Sequence, residues 1–282
     1  MDVRMLNRDA VNRLLPHRDP HAHKGCFGRL LLLCGSVGYT GAAALAARAA
    51  VRSGAGLVFL GVPQSIYAIE AVKLDEPIVF PLPDKEGKLS TDALPEILRR
   101  LETADVCLLG PGIGLGEDVG QVVREVIGQA RCPLILDADG ITLAAKHMDI
   151  LRERTAPTIL TPHDGEFRRL GLEPGPDHQT AARAMAEKTA SIVLLKGHRT
   201  IITDGGVLYE NHTGNPGMAT GGSGDVLAGL LAALVGQGIA PLEAAACAAW
   251  IHGAAGDLCA EAWGQYGLTP SDLVLALPRL LK

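Results

Sequence analysis

Short continuous apolar runs alternate along this chain with longer stretches in which apolar residues recur at helical spacing. The first kind predicts buried strands and the second predicts helices. RLLLLCGS (29–36) predicts a strand ending in Gly-Ser, and TGAAALAARAAVRSG (40–54) an alanine-rich helix that stops at glycine. AGLVFLGV (55–62) predicts a strand, IYAIEAV (66–72) a helix, and PIVFPLPDKEGK (77–88) a proline-rich loop. A helix over 92–102 leads to a strand in 105–114 that breaks on Pro-Gly. A helix over 118–130 precedes a strand and turn in 133–141, then a further helix. Residues 156–166 read as strand then loop, and 179–190 as helix. SIVLLKGH and TIITDGG predict two strands at a tight turn, followed by VLYENHTG. A glycine loop then enters a helix near Asp225, a second alanine-rich helix starts at Pro241, and a last helix follows TPSDL.

Strands that are apolar throughout and separated by helices predict a parallel sheet covered on both faces. Nothing in the chain reads as an internal repeat, a low-complexity tract or a linker. The expectation is one α/β domain over residues 1–282, with 1–11 a short N-terminal extension. Right-handed crossovers place the loops after parallel strands along one edge, where open α/β sheets bind ligands. Successive strands end in GSVGYTG, GPGIG, DADG, TPHDGE and KGH, all rich in glycine or polar groups. Their convergence on one edge is the strongest functional expectation.

Composition narrows the partners. Aromatic residues are 4% of the chain and the formal net charge is -5, without a Lys/Arg block. Stacking platforms for single-stranded nucleic acid and broad basic surfaces for nucleic acid or anionic membrane are excluded on these grounds. The N-terminus mixes acids and bases without an apolar signal core, and no stretch reaches the roughly 18 apolar residues of a membrane span. Six cysteines without CxxC spacing read as buried free thiols in a reducing, cytoplasmic setting.

The candidate chemistry lies in the loops. In GGSGD, Gly221, Gly222 and Gly224 let backbone amides approach a ligand. The following helix offers unpaired N–H groups and a partial positive charge, which suits a phosphate. Asp225 would then act as base on an attacking hydroxyl; the bland alternative is an N-cap. GSVGYTG is neither a P-loop nor GxGxxG, and reads as a pocket-shaping turn. Gly112 and Gly114 bring an amide to a substrate or only make a turn. His163 and Glu166 of TPHDGE offer a substrate hydrogen bond and a water-mediated Mg²⁺ contact, or a surface histidine and a helix-start carboxylate. Lys196, Gly197, His198, Arg199 and Thr200 read as nucleotide contacts or as a charged hairpin turn. Asp137 and Asp139 are supporting residues, and Thr269 with Asp272 forms a capping-box variant.

In their order, HKG-x-FG-R-x₃-L-x-GS, GPG-x-G, LDAD, LTPH-x-GE, KG-x-x-T and TGNPGMATGGSGD-x-LAG resemble the ADP/ATP-dependent NAD(P)H-hydrate dehydratases of the ribokinase-like superfamily. The resemblance covers nearly the whole chain and implies a three-layer α/β/α fold with a mostly parallel central sheet. It implies dehydration of the S epimer of NADH and NADPH hydrates, with ADP as co-substrate, ATP as the alternative, and Mg²⁺. The nucleotide phosphorylates the hydrate hydroxyl, and phosphate then leaves. By resemblance Asp225 is the base, and Ala42, Ala43, Gly112, Gly114 and His163 join it in contacting the hydrate. Lys196 to Thr200, Asn215, Gly222 and Gly224 match the nucleotide site, and Glu166 an indirect metal contact. The same relatives imply a homotetramer; some relatives carry an N-terminal epimerase domain, which this chain is too short to hold, so the expectation is a separate epimerase protein. Ser223 stands where Thr is frequent, Asp164 where Pro is, and Gly140 where larger residues are. Two alternatives remain open: a kinase of the same fold acting on a vitamin-precursor alcohol, and a non-catalytic nucleotide-binding regulator in which Asp225 only caps.

Overall fold

A computed structural model describes residues 3–281; residues 1, 2 and 282 of the expected domain lie outside it. In chain order the strands are β1 Val3–Arg4, β2 Arg29–Leu33, β3 Leu57–Pro63, β4 Ile78–Leu82, β5 Asp84–Lys85, β6 Lys88–Leu89, β7 Val106–Leu109, β8 Leu134–Leu136, β9 Thr158–Leu160, β10 Ile192–Leu195, β11 Thr200–Thr203 and β12 Leu208–Asn211. The α-helices are α1 Arg8–Leu14, α2 Thr40–Arg52, α3 Gln64–Lys73, α4 Leu94–Leu101, α5 Glu117–Gln129, α6 Asp139–Ala144, α7 Met148–Glu153, α8 Asp164–Arg169, α9 His178–Thr189, α10 Ser223–Gly236, α11 Pro241–Gly267 and α12 Pro270–Ala276.

One sheet runs in the order β1-β12-β11-β10-β9-β8-β7-β2-β3-β4. Its pairings are parallel except β10–β11, the tight turn of two strands read from the sequence, and β11–β12, in which part of VLYENHTG adds a further antiparallel strand. The apolar strand runs are explained by burial on both faces. Leu30 and Leu32 enter the core on one side, with residues of α2, α10 and α11. Leu31 and Leu33 enter the core on the other, with residues of α4, α5 and α9. The three-layer α/β/α expectation holds. Alanines and one glycine let α2 and α10 approach closely: a β-carbon on Gly229 would lie 2.1 Å from the Ala46 carbonyl oxygen.

Three expectations are corrected. Residues 77–88 are not a loop: Ile78–Leu82 is the edge strand β4, and Asp84–Lys85 pairs with Lys88–Leu89. Pro81 is tolerated because an edge strand has one side without ladder partners. The segment after β9 forms the short helix α8. Cys26 is exposed, although the other five cysteines are buried free thiols. The segment expected as an extension contributes β1, parallel to β12, and α1. Thr269 and Asp272 form the capping box of α12 as read. Among the described residues no helix is long and apolar enough to cross a membrane.

Candidate functional site

The strands β10, β9, β8, β7 and β2 are consecutive neighbours, and all four of their pairings are parallel. Their C-terminal ends therefore line one edge, and the five loops singled out in the sequence follow them there. Hydrogen bonds stitch these loops together. The Gly35 amide donates to the Pro111 carbonyl at 2.8 Å, and the Ser36 hydroxyl to the Gly112 carbonyl at 2.7 Å. The Gly114 amide donates to Asp139 Oδ2 at 2.9 Å, and the Lys196 amide to the Pro162 carbonyl at 2.8 Å. Gly112 has φ +63°, and a β-carbon there would press on the β-carbons of Tyr39 and Ala42 at 2.8 and 2.9 Å. That contact joins the GPGIG loop to the start of α2, where Ala42 and the buried Ala43 lie. Gly140 is required rather than incidental, since a β-carbon would fall 2.4 Å from the Leu109 carbonyl oxygen.

Charged groups meet at the ends of β8, β9 and β10. Asp137 is 2% exposed, and its Oδ1 accepts from the Thr161 hydroxyl at 2.7 Å and from Lys196 Nζ at 2.9 Å. Lys196 Nζ also stands 3.6 Å from Glu166 Oε2. Burial works to lower the ammonium's pKa, but Asp137 and Glu166 outweigh it and raise the pKa above the usual lysine value. Glu166 in turn accepts from the His163 amide at 2.9 Å. The His163 ring is exposed, yet its Nδ1 accepts from the Gly165 amide at 2.9 Å, completing a capping box at the start of α8. Asp164 occupies the first position of that helix, so the capping box fixes a turn that lacks the proline of the related motif.

The glycine loop is arranged differently. Helix α10 begins at Ser223, with Gly222 as its N-cap at φ +100° and no side-chain cap. Only glycine enters there without strain, and a β-carbon would also meet Leu45 at 2.6 Å. Asp225 is therefore in the first turn of the helix, three residues past the cap, and the capping alternative is overturned. Its carboxylate has no hydrogen bond or ion pair among the described residues. Burial first, and then the Asp137 carboxylate, raise its pKa to about 7 against the opposing pull of Lys196, with Asp139 adding to the rise. The amides of Gly221, Gly222, Gly224 and Asp225 also have no acceptor among the described residues, whereas those of Ser223 and Val226 bond Thr220 and Gly222. A β-carbon at Gly224 would lie 3.6 Å from Lys196 Nζ and 4.0 Å from Asp137 Oδ2, so this helix start overlies the charged cluster.

The remaining candidates sit further out. Residues 197–200 form the β10–β11 turn: Gly197, His198 and Arg199 are exposed, Arg199 at φ +60°, and the Thr200 hydroxyl donates to the Gly197 carbonyl. Asn215 braces the glycine segment, its Nδ2 donating to Asp257 Oδ1 at 3.0 Å while its Oδ1 caps the turn at Gly217. Asp257, and His252 whose Nε2 lies 3.3 Å from the Ser223 hydroxyl, come from α11 and did not emerge from the sequence reading. Their only signal was that of polar residues inside an alanine-rich helix. Among the described residues no three His, Cys, Asp or Glu side chains are grouped to hold a metal.

Comparison with known proteins places this arrangement. A family profile described as NAD(P)H-hydrate dehydratase matches residues 30–279. An ADP/ATP-dependent NAD(P)H-hydrate dehydratase of Bacillus subtilis, co-crystallized with ATP and Mg²⁺, is 30% identical with a TM-score of 0.85, covering 99% of this chain and 98% of that one. A bifunctional NAD(P)H-hydrate repair enzyme of Moorella thermoacetica is 41% identical over 285 residues, 99% of this chain and 54% of its own length. The chain thus spans about half the length of the curated relatives it matches. A Thermotoga maritima ribokinase shares the fold, with a TM-score of 0.54 at 17% identity, covering 90% of this chain and 100% of its own.

Proposed function

The chain belongs to the NAD(P)H-hydrate dehydratase family, and on that premise we propose that it dehydrates the S epimers of NADH and NADPH hydrates at the expense of ADP. The observation that carries the reading is Asp225, a carboxylate free of partners with a pKa of about 7, in the first turn of a helix whose leading amides are also free. A general base works best with a pKa near the working pH. Amides without acceptors at a helix start stabilise the charge on a transferring phosphoryl group without having to reorganise.

Asp225 takes the proton of the hydrate hydroxyl as that oxygen attacks the terminal phosphorus of ADP. The bond to AMP breaks, and the amides of Gly222, Gly224 and Asp225 receive the equatorial oxygens. Phosphate is a far better leaving group than hydroxide, so it departs with the C–O electron pair, and loss of a proton from the neighbouring ring carbon to phosphate or water restores the ring double bond. Ala42, Ala43, Gly112, Gly114 and His163 would bound the hydrate. Gly197 to Thr200 and Asn215 would face the nucleotide, with Lys196 reaching it only from within its ion pairs.

Mg²⁺ bound with the nucleotide would neutralise phosphate charge. Glu166, the carboxylate already bonded by the His163 amide and facing Lys196, fits a water-mediated contact better than direct ligation. ADP over ATP, a one-domain homotetramer, a cytoplasmic setting, and an epimerase activity supplied from outside these residues all belong to the same reading.

The test is incubation with NADH hydrate and Mg²⁺, with ADP, ATP or no nucleotide, following NADH absorbance. Return of absorbance with ADP and release of AMP and phosphate is the expected result. No recovery with either nucleotide, but a stable phosphate ester formed on a small alcohol, would overturn it in favour of a kinase.

A further inference from the structure

Ser223 lies between the free amides, two residues before Asp225, and is 7% exposed. Its hydroxyl oxygen is 3.3 Å from Nε2 of His252, which is 9% exposed on α11. The backbone beside that ring packs closely on the loop: a β-carbon on the next residue, Gly253, would fall 2.2 Å from Thr213 Oγ1. A neutral imidazole in this position has two options. If Nε2 accepts, the serine proton is consumed. If Nε2–H donates, the serine proton is left for a third group. Burial, opposed by the Ser223 backbone and reinforced by Lys196, lowers the ring's pKa to about 4 and keeps it neutral. The second option, with Nε2–H donating to the serine oxygen, leaves the hydroxyl proton for a ligand at the helix start, and it is the arrangement taken in the proposal.

We propose that Ser223 is a further donor of the anion hole, giving its hydroxyl proton to the transferring phosphoryl group, and that His252 is the positioning residue which frees and aims it. The inference rests on phosphoryl transfer at this loop and not on the identity of the acceptor alcohol.

The experiment compares Ser223→Ala, Ser223→Thr, His252→Phe, His252→Gln and the Ser223→Ala/His252→Phe double variant. Calorimetry reads the affinity for AMP alone and for AMP with aluminium fluoride, which mimics the phosphoryl group in flight. Loss of one such donor costs about 10²-fold in rate in comparable sites. Ser223→Ala and His252→Phe are each expected to weaken the fluoride complex by at least about 10-fold, within that bound, with AMP affinity barely changed. Ser223→Thr and His252→Gln restore the hydroxyl and the N–H and should recover it, a result that a purely structural role does not give. The double variant should be no worse than Ser223→Ala. Wild-type fluoride affinity in Ser223→Ala, multiplicative losses in the double variant, or a wild-type protein that gains nothing from fluoride would each overturn the proposal. A protein that traps fluoride as described but leaves NADH hydrate unchanged would sink the hydrate reading alone.

Discussion

The two halves of the ligand edge are built on opposite rules. At the ends of β8, β9 and β10, Asp137, Thr161, Lys196, Glu166 and His163 satisfy one another. Next to it in space, the start of α10 leaves four amides and one carboxylate without partners among the described residues. Every helix start leaves such amides to water, a cap or a ligand, and here no side chain caps them. The satisfied half is therefore a scaffold that sets potential and position. The unsatisfied half is kept free for a ligand that brings the missing oxygens and proton.

The largest test of that contrast is Asp225→Asn. Removal of the base should lower the dehydration rate by about 10³-fold with nucleotide still bound. The same variant tests the cost of leaving the group free. A carboxyl whose folded pKa is raised binds more protons folded than unfolded between its ordinary value near 3.8 and about 7, so stability falls as pH rises through that window. Asp225→Asn should accordingly raise the melting temperature at pH 8 and leave it nearly unchanged at pH 4. A variant that melted lower at both values would place Asp225 with the scaffold.

Lys196→Met attacks the satisfied half next. It strands two buried carboxylates, and the low end of the range for broken buried pairs, about 3 kcal/mol of stability, applies because the Lys196 side chain is 21% exposed. It also removes the group that opposes the rise at Asp225, so the pH at which activity half-develops should move upward. Equal stability with lost nucleotide affinity would instead make Lys196 a ligand group. The smallest effect is that of His163→Ala, which loses a helix cap worth about 1 kcal/mol. His163→Asn keeps a capping oxygen. Should it restore the melting temperature but leave KM for the hydrate raised, His163 contacts substrate as well as capping α8.

How much of this could be read beforehand differs by region. β2, β3, β7, β8, β9 and β10 were legible because burial on both faces leaves an unbroken apolar run such as Leu30 to Leu33. β4 was hidden by Pro77, Pro81 and Pro83, which read as breakers although an edge strand accommodates proline. The convergence of five loops followed from topology alone. What topology does not give is the partner of each side chain. Lys196 read as a phosphate contact because its spacing says nothing of Asp137, 59 residues away, whose carboxylate takes its charge. His163 and Glu166 lie three residues apart, and that spacing serves a capping box as well as a ligand. The Ser223–His252 contact bridges 29 residues through the packing of α11 on the glycine segment, which no local pattern encodes.

The central claim is that Asp225 is a base held ready by burial. The most direct measurement is kcat/KM for hydrate dehydration across pH 5.5 to 8.5, read against the ionisation at about 7. The account predicts a rate that climbs with pH through one ionisation near 7 and then levels. A flat profile, or one that falls through neutrality, would contradict it.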